Sequence, residues 1–150
     1  MDNSMDFWPM VILMIVFSYF IMSNVMLTFK NGFYNHVNKT YMALLMGSLM
    51  GVIYYILMLW RGHQTSEMWY GLMLWIIISL VFILLIRKQT LINDKEFLKG
   101  MTEHHDMALQ MSSKIMEKTT DQELAQFANH IIQTQQTEIN WMKQKLAQKY

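Results

Sequence analysis

A chain of 150 residues has the length of one ordinary domain, yet 53% of it is apolar and only 15% charged, too greasy for a soluble domain of that size. A net charge of +1 with no basic run excludes an electrostatic nucleic-acid footprint, and the absence of cysteine excludes disulfides, zinc–thiolate sites and cysteine nucleophiles. Seventeen methionines leave thioether chemistry as the one compositional hint.

Charge divides the chain. Residues 1–88 hold five Lys/Arg and three Asp/Glu, residues 89–150 seven and eight, which predicts a membrane domain over 1–88 and a helical domain over 89–150. Phe7 to Phe29 is a 23-residue uncharged run, long enough to cross a bilayer core of about 30 Å. Asp2 and Asp6 replace the basic start of a cleaved leader, so the run reads as an anchor that stays. Pro9 falls in its first turn, where a missing N–H costs little. The polar, turn-rich stretch Asn31 to Thr40 ends the span.

Two further uncharged runs, Tyr41 to Trp60 and Met68 to Ile86, predict a second and third span separated by a short turn. Trp8, Trp60, Trp69 and Tyr70 lie near the predicted boundaries as interfacial anchors. Lys30, Lys39, Arg87, Lys88, Lys95 and Lys99 fall on one side and Arg61 on the other. The positive-inside rule then puts the N-terminus outside and the C-terminal part in the cytoplasm. In the second span Ala43, Gly47 and Gly51 recur every fourth residue as a helix-contact row, serving either packing within the chain or self-association of the spans. Met10, Met14, Met22 and Met26, and Met42, Met46, Met50 and Met58, also step by four. Such a row drifts about 40° per step and winds around the helix, which favours packing over a straight thioether path.

After Lys88 the pattern turns amphipathic. Asn93 with Glu96, and Thr120 with Glu123, read as capping boxes that open helices over about 94–117 and 121–147. Phe97, Leu98, Met101, Ala108, Leu109, Ile115 and Met116 form the apolar stripe of the first. Leu124, Phe127, Ala128, Ile131, Ile132, Ile139, Met142 and Leu146 form that of the second. A tight turn makes the pair an antiparallel hairpin. Numbers summing to about 239 then face each other: His104 with Gln135, Met101 with Glu138, Phe97 with Met142.

Met101, His104 and His105 are i, i+3 and i+4 neighbours, Met111 lies two turns on, and Met142 approaches from the facing helix. Thioether and imidazole without thiolate suit copper(I) or silver(I), while zinc could use the histidines with Glu138. The competing reading is that His104 and His105 are core-edge residues hydrogen-bonded by Gln135 and Glu138, with methionine as filler. His130 reads as a surface residue, and His36 and His63 as lone histidines in inter-span turns.

The stretches FLKGMTEHHDMALQMSSKI and DQELAQFANHIIQTQQTEINWMKQKL resemble the domain-of-unknown-function family 305. Its pattern is M-x-x-H-H on one helix and I-I-x-x-Q-x-x-E-I-x-x-M on the next, and the match covers about residues 94–147. The membrane part, with YMALLMG opening the second span, looks like a bacterial subgroup with three spans before this domain. The resemblance implies a ferritin-like helical fold and, for some members, copper or silver binding and metal tolerance. Its implied ligands are Met101, His104, His105, Met111 and Met142, supported by Gln135 and Glu138. Glu103 stands where many members have proline, and its carboxylate would make the site more zinc-like.

The expected architecture is therefore all-α: three transmembrane helices and a hairpin. A lone hairpin has too little core, so a homo-oligomer is expected to complete a four-helix bundle. The expected role is soft-metal buffering, transfer or tolerance by a multi-pass protein, as in a bacterial inner membrane, with lipid around its spans and an unidentified metal-delivery partner. The alternative is a structural, oligomerising membrane protein. No nucleotide loop, hydrolase triad or Glu-x-x-His di-metal motif is present, so no enzymatic activity is expected.

Overall fold

The computed structural model describes residues 4–28 and 30–150, with side chains from residue 7 onward; Asp2 and Phe29 lie outside the described residues, as does the side chain of Asp6. The described chain is all helix and turn. Its elements are α1 (Ser4–Phe17) continued by a π-helical stretch (Ser18–Met22), α2 (Val37–Trp60), α3 (Ser66–Arg87), α4 (Asp94–Met116) and α5 (Gln122–Lys149). They form two compact units: Met1–Ser23 with Asn38–Leu91, and Asn24–Val37 with Ile92–Tyr150. The sequence boundary near residue 88 misses one segment, because the polar stretch 24–37 belongs with the hairpin.

In the first unit α2 and α3 are long and apolar enough to cross a bilayer. The expected third span, 7–29, is not formed as one helix: its apolar helical part is Phe7–Met22, which at 1.5 Å per residue falls short of a core of about 30 Å. Polar side chains end it. Ser18 O accepts from both Ser23 N, at 3.0 Å, and Ser23 Oγ, at 2.9 Å, which widens the last turn, and Asn24 O then closes a turn with Leu27 N. At the other end Phe7 is buried in a ring cluster with Tyr54, Tyr55 and Trp75.

The small-residue row of α2 is filled from within the chain. A Cβ on Gly47 would sit 2.3 Å from Ile15 of α1, and one on Gly51 2.4 Å from Trp75 of α3; Ala43 is likewise buried. Of the two roles the row could serve, intramolecular packing is the one observed, so the row gives no support to self-association. Ser48 and Ser79, 2.9 Å apart, join α2 to α3 with a hydrogen bond. The methionine rows disperse: Met10, Met50 and Met58 line one 210 Å³ cleft, while Met22, Met26 and Met42 are exposed.

In the second unit α4 and α5 form the hairpin. Asn93 caps α4 by accepting from Glu96 N at 3.0 Å. The cap of α5 is Asp121, which accepts from Glu123 N and Leu124 N, rather than the expected Thr120. The hairpin core is Leu98, Leu109, Ile139 and Met142, with Met101, Ile132 and Leu146 packed on it; Ile139 is wholly buried. The register differs from the expected sum of 239. His105 meets Glu138, Thr102 meets Met142 and Asp94 meets Tyr150, sums of 243 to 244, and Phe97 is exposed rather than facing Met142. The cause is geometric. Side chains lean toward the N-terminus of their own helix, and in an antiparallel pair the two leans add. A lean of about 4 Å each shifts the pairing by about five residues at 1.5 Å per residue.

Candidate functional site

α4 has three working sides. Leu98, Met101, Thr102, His105 and Leu109 recur at helical spacing toward α5. Glu96, Lys99, Gly100, Glu103 and Asp106 recur at the same spacing on another side, and His104 and Met111 lie on a third.

The acidic side carries the segment 24–37 as a strap. Asp106, 1% exposed, accepts from Thr28 N at 2.7 Å, from the Thr28 hydroxyl, and from Asn31 Nδ2 at 2.8 Å. Three donors on one carboxylate offset the cost of burying its charge. One turn back, Glu103 accepts from Tyr34 N at 2.8 Å and pairs with His36 Nε2 at 3.2 Å, both side chains buried. Gly100 lies against that imidazole: a Cβ there would touch the His36 ring at 3.4 Å, an ordinary van der Waals contact. Glu96 accepts from Val37 N at 2.7 Å and Lys99 Nζ at 2.9 Å, while Lys99 also donates to Asn35 O. Burial pushes the Glu96 carboxyl up, but the Lys99 and Val37 hydrogen bonds with the Lys99 and His36 charges outweigh it and hold the group below its ordinary range.

Two expectations change here. His36 is not a lone turn residue but a buried partner of α4, and Glu103 serves the strap instead of hardening a metal site. The sequence signal was present in the acidic i, i+7, i+10 spacing of Glu96, Glu103 and Asp106. Acidic residues on a helix ordinarily form a solvated face, which hid it.

The implied ligands distribute over the other two sides. His105 Nδ1 lies 2.8 Å from Met101 O and Nε2 lies 2.7 Å from Glu138 Oε2. Both partners are acceptors, so satisfying both requires a proton on each ring nitrogen. Met101 packs on the core that contains Met142, and the Met142 sulfur lies 3.9 Å from Thr102 Oγ1. Met101, His105, Met142 and Glu138 thus share the α4–α5 seam. Gln135 is half-buried. His104 is exposed, and its imidazole is pushed below the ordinary range by partial burial and then by the neighbouring His36 and His105, a shift that favours the neutral ring with a free lone pair. Met111, 60% exposed, lies about 10 Å along the axis from His104, in a groove near the turn. Among the described residues no group of three or more His, Asp or Glu is arranged to hold a metal ion.

Residues 87–146 match the family model described as Domain of unknown function (DUF305). The chain is also similar along almost its whole length to the uncharacterized protein L153 of Acanthamoeba polyphaga mimivirus. Identity is 39% over 142 residues, 95% of this chain and 91% of the relative. The chain belongs to the DUF305 family. No solved structure matches it significantly. The DUF305 match begins where α3 ends and contains the whole of α4, so the His pair and its seam lie in the family-defining part. The similarity to L153 extends over the apolar helices as well, so they belong to the shared architecture.

Proposed function

We propose that this DUF305 protein is a multi-pass membrane protein that binds a soft monovalent cation, copper(I) or silver(I), for buffering, transfer or tolerance, without enzymatic chemistry. The observation that carries the reading is the α4–α5 seam, where two thioether side chains, Met101 and Met142, belong to one packed cluster and His105 stands one turn from Met101. His104, with its neutral ring favoured, is a fourth donor at the edge of the seam. Met111 would join only by a rearrangement of the third side. Binding would draw His105 Nε2 from Glu138 to the metal, leaving Glu138 to neutralise the added charge.

α2 and α3 are the spans, and Ser4–Met22, about 28 Å as one rod, is the third in a locally thinned bilayer. The strap and the hairpin, packed as one unit, then lie on the lysine-rich cytoplasmic side. The ferritin-like likeness is that of half a bundle.

A second reading is supported by the saturation of His105, whose two ring nitrogens already have partners. There the His105–Glu138 pair fixes the hairpin's register and no metal is involved. Competition of purified protein against a copper(I) chelator separates the two. Metal binding predicts that a double His104→Ala, His105→Ala variant loses copper(I) while keeping its helices, and that Glu138→Gln keeps most of the affinity. An unmodified protein that takes no copper(I) from the chelator, with Glu138→Gln unfolding at lower temperature, leaves the structural reading standing.

A further inference from the structure

The hairpin is packed unevenly along its length. All α4 members of its core lie between Leu98 and Leu109, and toward the turn the seam is lined by the small buried residues Ser112 and Ala128. Small residues there leave a groove of about 580 Å³, floored by Ser112 and Ala128 and flanked by Met111, Ile115, Leu124 and Phe127. With Met116 just beyond, these flanking side chains are 39 to 61% exposed. At roughly 200 Å² for a fully exposed large apolar side chain, the five leave on the order of 500 Å² of apolar surface per chain. Pairing two copies would remove about 1,000 Å², the lower bound of a specific interface.

The rim identifies the occupant. Lys114 and Lys118 line the groove, and Glu117, Asp121 and Glu123 follow in the chain where α4 ends and α5 begins; all five are exposed. Lys114 is already paired with Glu117 at 2.8 Å. An anionic lipid surface calls for basic residues without acids between them. A mixed rim around an apolar centre is the anatomy of a protein interface, and a rim carrying both signs complements itself across a two-fold axis, where each lysine meets an acid of the other copy. The groove and the projecting Met111 and Phe127 supply hole and knob on one surface. We infer that the turn-proximal groove of the hairpin is an isologous docking surface for a second copy of this chain, with Phe127 of each copy seated against the Ser112–Ala128 floor of the other. The pairing completes four helices without using the α2 glycine row, and it does not depend on metal binding at the other end of the hairpin.

The chain has no cysteine, so single substitutions report proximity directly. Met111→Cys, Phe127→Cys and the exposed control Gln144→Cys are made in the full chain, reconstituted in nanodiscs of neutral lipid and oxidised with diamide in the presence of a metal chelator. The expected result is a covalent dimer at the two groove positions in at least fivefold excess over the control. Light scattering in mild detergent should give a two-chain protein mass that Phe127→Glu reduces to one chain with helicity unchanged. Equal cross-linking at the groove and control positions, a one-chain mass for the unmodified protein, or groove cysteines that capture photoactivatable lipid in place of a second chain would each overturn the inference. Because chelator is present throughout, failure here leaves the metal reading untouched.

Discussion

Asp106 gathers two hydrogen bonds from Thr28 and one from Asn31 while almost wholly buried, so its removal leaves several donors without their acceptor in a site that water does not reach. Asp106→Ala should cost about 3 kcal/mol, the desolvation of orphaned donors outweighing any relief of buried charge. The check is amide exchange at Thr28, which should accelerate by about two orders of magnitude while amides in α5 change less. Glu96 gives the strap a pH dependence. Its carboxyl lies lower in the folded protein than in the unfolded chain, so the ionised form stabilises the folded state. That contribution is complete above the ordinary glutamate range and is lost as pH falls through the lower folded value. Exchange at Val37 should therefore rise steeply in that acid window and become flat there in Glu96→Gln. A Val37 amide whose acid response is the same in both proteins would refute the assignment.

At the scale of elements, α2 depends on having no side chain at two points. Ile15 and Trp75 already occupy the space that a Cβ on Gly47 or Gly51 would need. Trp75 is the stiffer neighbour, because its indole is held against Phe7 with ring centroids 5.5 Å apart. Gly51→Ala should thus destabilise the unit of α1, α2 and α3 by about 2 kcal/mol, in the range of overpacking substitutions, and Gly47→Ala by less because the tip of Ile15 can rotate. Unfolding in mixed micelles followed by tryptophan emission measures both, and a Gly51→Ala protein as stable as the parent would show that α3 moves freely away from α2. The hairpin shows the same sensitivity to detail. Its two helices and their caps follow from local pattern, but its pairing depends on which way each side chain leans, and that displaced Phe97 from the core and set His105 against Glu138.

For the molecule as a whole, the strap ties the chain between α1 and α2 to α4 through contacts spanning 59 to 78 residues. Since the two segments pack in one unit, they must lie on the same side of any membrane that α2 and α3 cross. Cysteines introduced at Lys30 and at Tyr150 should accordingly give the same answer to an impermeant thiol reagent in intact cells: protected in both, and labelled in both once the cytoplasmic face is opened. Labelling of one and protection of the other would separate strap from hairpin and undo the shared unit, while ready labelling of both in intact cells would reverse the orientation.

Much of this was legible in the residues themselves. The apolar runs, the change of composition after Lys88, the Asn93 cap and the spacing of Met101, His104 and His105 are local properties, fixed by helical periodicity and by what neighbouring side chains can reach. What only the tertiary structure decided is where each helix face is satisfied. A buried carboxylate such as Asp106 or Glu103 looks like any solvated acid until the strap arrives with its donors, and a GxxxG row looks the same whether Trp75 or another chain fills it. Burial and pairing are properties of partners far apart along the chain, so their energies carry no local signature; the same holds for the groove near the turn, which exists because Ser112 and Ala128 meet across two helices.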